Sequence, residues 1–158
     1  TIHRDTFNYC TSITNITIPE SVTSIGSYAF SHCKSLQNVY YDGTIEDWCN
    51  IKFSYSDSTP MYYANHIYMK DSNDNYYEVR EIEIPNTVTS INYQFYSFDN
   101  ITKIIIPSSI TSIGKSAFYG CSSLLYNVYD KAKYLGNSEN PYLILIESIN
   151  DKPWSVFP

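Results

Sequence analysis

The chain has 158 residues, of which 43% are hydrophobic and only 16% charged, so it can form one continuous core but not two ordinary domains. Its net charge of −6 and its ten Lys and Arg residues argue against nucleic-acid binding, because phosphate contacts need clustered basic side chains. The same balance disfavours anionic membranes, and no apolar run approaches the roughly 20 residues of a membrane span. We therefore expect one domain over residues 1–158, with no nucleic-acid partner and no membrane span.

One sequence pattern recurs along the chain. It reads apolar-x-apolar-Pro, then Val-Thr-Ser-Ile-Gly, then Ala-Phe, Cys and Leu at fixed spacing, and its clearest copy is 16–36. Equivalent positions are 23 residues apart at Ile2 and Ile25, and 22 residues apart at Ile84 and Ile106. A fixed period of this length is the signature of a repeat architecture.

Each repeat unit predicts a strand, a turn and a return segment. Ile16 and Ile18 alternate with polar residues, as in a strand with one buried face, and Pro19 ends it because proline has no N–H for a ladder. One unit cannot bury its own apolar residues, but stacked units can, with strands about 4.8 Å apart. We therefore expect a mainly β solenoid with short helical or irregular return segments. The predicted core residues are Ile16, Ile18, Val22, Ile25, Phe30, Leu36, Ile82, Ile84, Ile104, Ile106, Ile113 and Phe118.

This signature resembles the BspA-like leucine-rich repeats of surface and secreted proteins from bacteria and some protists. The resemblance covers most of the chain, and about a dozen positions agree at fixed spacing in more than one copy. It implies a right-handed, leucine-rich-repeat-like coil with a parallel sheet on one side, an extracellular location at the cell surface or in secreted form, and no catalytic activity. The ligands of this family vary widely, so the resemblance does not name one here.

Residues 42–79 depart from the regular pattern and resemble a variant coil of the same family. Within them, 44–50 predicts a short helix that is capped by Thr44 and carries Trp48 inward. The turn-forming run 71–75 lies between two strand-like segments, which predicts a protruding β-hairpin.

The sequence also supports one prediction for each end of the chain. The chain enters the repeat partway through a unit at Thr1, so we expect a fragment of a longer protein. Residues 129–158 are expected to form a C-terminal cap with hairpin character, because the terminal units of a solenoid expose a sheet edge. Part of this segment is similar to one that follows these repeats in some family members.

The four cysteines favour buried free thiols over disulfides. Cys10, Cys33 and Cys121 share one repeat position, where Phe98 stands in the copy between them. Cys10 and Cys33 would lie about 5 Å apart on neighbouring units, so distance alone leaves a disulfide between them open.

The sequence predicts no metal, no cofactor and no enzyme. Asp71, Asn73 and Asn75 imitate the first ligands of a calcium loop, but Tyr76 stands where that loop needs glycine. The three histidines lack the paired spacing of zinc ligands. The chain contains neither a nucleophile motif nor a Gly-rich phosphate loop.

The remaining candidate for function is the exposed face of the sheet. Aligning the repeats predicts one outward row, formed by Thr17, Tyr40, Glu83, Ile105 and Tyr129. Tyrosine is an effective amphipathic anchor at protein interfaces, although with 17 tyrosines in the chain many could simply be strand formers that pack on their neighbours.

We therefore expect an extracellular protein-binding or adhesion module. Its partner would be another protein or a host or extracellular-matrix macromolecule. Two alternatives stay open. One is a structural spacer or display stalk. The other is a carbohydrate-binding surface that stacks sugars on aromatics such as Trp48, Tyr62 and Tyr63, although core packing of the variant coil is the preferred interpretation of these rings.

Overall fold

The protein is mostly β in the computed structural model, which describes residues 1–71 and 73–148. The described strands are β1 (Asn15–Ile18), β2 (Ser24–Ile25), β3 (Asn38–Tyr41), β4 (Lys52–Phe53), β5 (His66–Lys70), β6 (Tyr76–Glu78), β7 (Glu81–Glu83), β8 (Ser90–Ile91), β9 (Lys103–Ile105), β10 (Ser112–Ile113), β11 (Asn127–Tyr129), β12 (Ala132–Leu135) and β13 (Ile144–Ser148). The helical segments are α1 (Ile45–Asn50) and two 3-10 turns, Ser56–Ser58 and Pro60–Tyr62. The mainly β architecture predicted from the repeat pattern is confirmed.

The strands form open sheets in which equivalent positions of successive repeat units pair. The described sheets have the orders β1-β3-β5-β6, β7-β9, β2-β4, β8-β10 and β11-β12-β13. The pairs between β1, β3 and β5, and those of β7-β9, β2-β4 and β8-β10, are parallel. Asn15 lies opposite Asn38, which is the 23-residue step of the sequence period. The period therefore sets the strand register.

The buried apolar side chains form one continuous cluster along these ladders. Ten of the twelve predicted core residues are buried, but Ile16 and Ile113 are only partly buried against the cluster. For these two residues the prediction of a fully buried side chain is wrong. Each lies on a strand that pairs on one side only, β1 with β3 and β10 with β8. An edge position alone does not expose a side chain, since Ile18 on the same strand β1 is 0% exposed.

The helix α1 forms where the sequence predicts it. Thr44 is its N-cap and completes a capping box with Asp47, whose N–H donates to Thr44 Oγ1 over 3.2 Å. The hydrogen bonds from the Thr44 side chain and backbone lower the pKa of Asp47. Trp48 lies on the inner side of the helix and is 0% exposed, so its predicted inward position is confirmed.

No strand ladder within the described residues connects the sheets of β1 to β6 with those of β7 to β10. Trp48 spans this junction instead, because its indole N–H donates to the Gln94 carbonyl over 2.8 Å. Its ring also lies 5.2 Å from the ring of Tyr41 and 5.8 Å from the ring of Phe98. Side-chain packing thus joins the two halves of the structure.

The C-terminal strands pair differently from the repeats. β11, β12 and β13 form an antiparallel sheet, with a register shift between Lys133 and Tyr134. The chain reverses between β11 and β12 at Asp130 and Lys131, both of which have positive φ. Residues 149–158 of the predicted cap lie outside the described part of the chain.

Two of the shared-position cysteines hydrogen bond to the preceding unit. The Cys33 thiol donates to the Phe7 carbonyl over 3.1 Å, and the Cys121 thiol donates to the Phe95 carbonyl over 3.0 Å. All four thiols are free. Burial raises the pKa of both Cys49 and Cys121 to about 12, so these thiols stay protonated at neutral pH.

Replacing Ile18 by alanine should lower the free energy of unfolding by about 2 to 5 kcal/mol, because it opens a cavity in the continuous core. Thr17→Ala on the same strand is the matched control and should change it by about 0.5 kcal/mol or less. Urea unfolding followed by circular dichroism measures both. Equal effects of the two substitutions would contradict the assigned faces of β1.

In the folded protein at pH 8, Cys49 and Cys121 should resist iodoacetamide, because a pKa near 12 leaves roughly one thiol in ten thousand ionised. Cys10, which is only partly buried, should react first. Mass spectrometry of the alkylated peptides gives the order. Two unmodified cysteines in a denatured, unreduced sample would instead indicate a disulfide, with Cys10 and Cys33 as the expected pair.

Candidate functional site

The predicted outward row forms in two separate parts. Thr17 lies beside Tyr40 on β1 and β3, and Glu83 lies beside Ile105 on β7 and β9. The first part continues to Tyr68 on β5, which pairs with Tyr40. The hairpin strand β6 then follows as the antiparallel neighbour of β5.

Tyr129 does not lie next to Ile105, so this part of the predicted row is wrong. Ile105 instead forms a parallel bridge with Gly136, and Tyr129 pairs with Ala132 in the antiparallel sheet. The reversal after β11 makes that strand pair with its own continuation. Tyr129 remains an exposed side chain, with its ring 5.3 Å from the ring of Tyr142.

Three tyrosines of the first part, Tyr40, Tyr68 and Tyr76, form what we call the tyrosine cluster. The rings of Tyr40 and Tyr68 are stacked with centroids 4.9 Å apart, and the ring of Tyr76 meets Tyr40 edge-on at 5.0 Å. Both arrangements match the geometry that aromatic quadrupoles favour. Tyr76 is 39% exposed, and the other two are partly exposed. The cluster thus presents aromatic surface and hydroxyl groups that are held by three adjacent strands.

Charged side chains fix one border of the tyrosine cluster. The Tyr76 hydroxyl donates to the Asp42 carboxylate, and this hydrogen bond raises the pKa of Tyr76. Lys70 Nζ lies 2.8 Å from Asp74, 3.5 Å from Asp42 and 5.5 Å from the centroid of the Tyr76 ring. These contacts fix the position of the Tyr76 ring beside Asp42 and Lys70.

A polar row runs beside the tyrosine cluster on the same strands. Asn15, Asn38 and His66 are paired neighbours, and Asn38 Nδ2 donates to Asn15 Oδ1 over 2.7 Å. His66 Nδ1 then lies 2.6 Å from Glu78 Oε1 on the hairpin.

Glu78 anchors the hairpin strand to the rest of the protein. Asn100 Nδ2 donates to its carboxylate over 3.0 Å, and Arg80 donates over 2.9 Å. Burial raises the pKa of Glu78, but its hydrogen bonds with His66, Asn100 and Arg80 outweigh that effect and the pKa is lowered. The carboxylate is therefore ionised at neutral pH and holds β6 in place beside the tyrosine cluster.

The predicted row omitted Tyr68 and Tyr76. The signal for Tyr68 is present in the sequence, because Ile67-Tyr68-Met69 resembles Val39-Tyr40-Tyr41, with a tyrosine in the middle and a β-branched residue before it. Tyr76 reaches the cluster through the antiparallel register of the hairpin, where it pairs with Lys70. No local sequence pattern specifies that register.

The aromatic residues proposed for sugar stacking do not form one surface. Trp48 is fully buried, so it offers no ring face to a sugar, and the preferred interpretation of this ring as core packing is confirmed. Tyr62 is half exposed and meets Tyr63 edge-on at 4.9 Å. Tyr63 is partly buried, and its hydroxyl accepts a hydrogen bond from the His32 N–H.

The acidic turn of the hairpin is built by internal hydrogen bonds. Asp71 Oδ1 accepts the N–H groups of Asn73 and Asn75 over 2.8 and 3.0 Å, as in a turn closed by an aspartate side chain. In residues 1–71 and 73–148, no three His, Cys, Asp or Glu side chains are grouped as metal ligands. The described helices also include none with the length and apolarity to cross a membrane.

Comparisons with known proteins address the fold and the family. A search of curated proteins found no significant match. A leucine rich cell surface protein from Faecalibacterium prausnitzii A2-165, known from a crystal structure, is similar with a TM-score of 0.44 and 20% sequence identity. The alignment covers 87% of this chain and 46% of that one, so the chain spans less than half the length of this relative.

The sequence profile of the BspA type leucine rich repeat region matches residues 1–125 in six copies. This range includes the regular units, the variant block and all three residues of the tyrosine cluster. The match extends over well more than half of the 158 residues. The chain therefore belongs to the BspA type leucine-rich repeat family.

Proposed function

We propose that the repeat units stack as a solenoid that acts outside the cell as a non-catalytic protein-binding module, with the tyrosine cluster at the centre of its binding surface. Its partner is another protein, such as a host or extracellular-matrix macromolecule. Membership of a repeat family that occurs in surface and secreted proteins supports the location and the class of function.

The tyrosine cluster is the observation that carries this proposal. Tyrosine is enriched at protein interfaces because it offers a large contact area with few rotatable bonds, and hot-spot residues lie in well-packed groups. Here the stacking of Tyr40 on Tyr68 and the contacts of Tyr76 with Asp42 and Lys70 fix the rings before any partner arrives. Such preorganisation reduces the entropy that binding costs.

The surroundings of the cluster suit a protein partner. Thr17 extends the surface on one side as an exposed residue of β1. The ion pair of Lys70 with Asp42 borders the cluster on another side, and the polar row with Asn38 and His66 runs beside it. A central aromatic group with polar residues around it is the usual anatomy of a protein interface.

Substituting Tyr68 by alanine should weaken binding to a protein partner about thirtyfold, the equivalent of about 2 kcal/mol for a hot-spot residue. The experiment is surface plasmon resonance against a panel of purified extracellular-matrix proteins, with a glycan array alongside. Circular dichroism melting of each variant shows whether the fold is retained.

Tyr55→Ala is the matched control, since Tyr55 is 61% exposed and lies outside the cluster. It should leave the affinity unchanged. Binding that Tyr68→Ala and Tyr55→Ala weaken equally would contradict the proposed surface. If the intact protein binds no member of the panel and no glycan, the spacer or display role is correct, and binding to glycans alone identifies a carbohydrate-binding protein.

A further inference from the structure

The ladder formed by the short strands of the return segments has a gap. Neighbouring units pair at this position in β2-β4 and in β8-β10, and Ile2 forms a parallel bridge with Ile25. Between β4 and β8 the described residues show no pairing. A cleft of about 450 Å³ lies there, which is within the size range of ligand pockets.

The side chain of Gln94 holds this gap open. Its Oε1 accepts the Asn92 N–H over 2.6 Å, and its Nε2 donates to the Ile51 carbonyl over 3.1 Å. In the next unit, Gly114 at the position of Asn92 donates directly to the backbone carbonyl of its neighbour, Ile91. The buried primary amide of Gln94 thus replaces a direct bond between β4 and β8 and separates the two strands.

One wall of the cleft is the free edge of β4. The N–H of Lys52 donates to the Thr23 carbonyl over 3.0 Å, and the N–H of Ser54 donates to the Ile25 carbonyl over 3.1 Å. Lys52 and Ser54 therefore face β2. Because backbone groups alternate in direction along a strand, the N–H and C=O of Phe53 face the cleft.

The other wall is the free edge of β8. The Ile91 carbonyl accepts from Gly114 over 2.7 Å, and the Thr89 carbonyl accepts from Thr111 over 2.9 Å. Both carbonyls therefore face β10. By the same alternation, the N–H and C=O of Ser90 face the cleft from the side opposite to Phe53.

Most of the side chains that line the cleft are polar, and one of them is positively charged. Thr87, Thr89 and Ser90 contribute hydroxyl groups to the lining, and Asn50 contributes an amide. Lys52 is the one charged residue among those that line the cleft, and it is exposed.

We propose that this cleft binds an extended peptide segment with an acidic side chain, which enters as an additional strand between β4 and β8. The backbone of such a segment would bond to Phe53 on one wall and to Ser90 on the other, as in recognition by strand addition. Its carboxylate would pair with Lys52. A glycan fits less well, because the one aromatic ring in the lining, Phe53, packs 5.6 Å from Trp48.

The test uses three pools of fluorescein-labelled hexapeptide amides with Asp, Ser or Lys fixed at the third position. The other positions are drawn from Val, Thr, Ile and Tyr, which favour extended strands. Fluorescence anisotropy should rank the pools Asp, Ser, Lys in decreasing affinity, and added salt should reduce the differences. An Asp pool with N-methylated backbone amides should lose binding, since it cannot donate to the strand edges.

Lys52→Glu should shift the ratio of Asp-pool to Lys-pool affinity about tenfold towards the Lys pool. This shift distinguishes a specific effect from misfolding, which would reduce both affinities. Lys34→Glu, at an exposed lysine outside the cleft, is the charge-matched control and should leave the ratio unchanged.

Three results would overturn the proposal: no binding by any pool, equal binding of the N-methylated pool, or Lys52-dependent binding of glycans in place of peptides. The Tyr68→Ala variant should bind the Asp pool as the unmodified protein does, because Tyr68 lies on the other sheet. The outcome is thus independent of the tyrosine cluster.

Discussion

The hydrogen bond from the Trp48 indole to the Gln94 carbonyl, together with the packing around it, joins the two halves of this protein. Elsewhere neighbouring repeat units are held by parallel ladders, but no described ladder crosses this junction. Burying an indole without a partner for its N–H costs free energy, so the position of Gln94 is tied to that of α1. The helix cap at Thr44 fixes where α1 begins and hence where Trp48 points. A local capping motif therefore governs a long-range contact.

The variant block changes both sides of the repeat array at the same junction. On one side, the hairpin follows β5, so this parallel sheet ends in the antiparallel strand β6. The ring of Tyr76 on β6 packs edge-on against the ring of Tyr40. On the other side, the amide of Gln94 separates β4 from β8 and leaves a polar cleft. Regular units offer neither feature, because their strands pair directly with the next unit. The surfaces most suited to recognition thus arise where the repeat is interrupted.

One repeat position accepts two kinds of apolar side chain, which make different contacts. Cys33 and Cys121 each donate a thiol hydrogen bond to the unit before them, and both are buried. At the same position Phe98 fills the space without a donor and packs 5.5 Å from Phe95. Apolar character is the shared feature of this position, and a thiol provides it as a small apolar group with one weak donor.

The sequence by itself determined the family, the strand period, the capped helix and most of the core, because alternation, capping and turn residues act within one repeat unit. It also placed Thr17 beside Tyr40 and Glu83 beside Ile105, since a constant period fixes the register wherever units are regular. Only the tertiary structure decided the partners of Tyr76 and Tyr129 and the opening between β4 and β8. These features depend on which segments lie side by side where the period breaks. That choice is made by packing and hydrogen bonds between residues far apart in the chain, such as Trp48 and Gln94, and no local pattern encodes it.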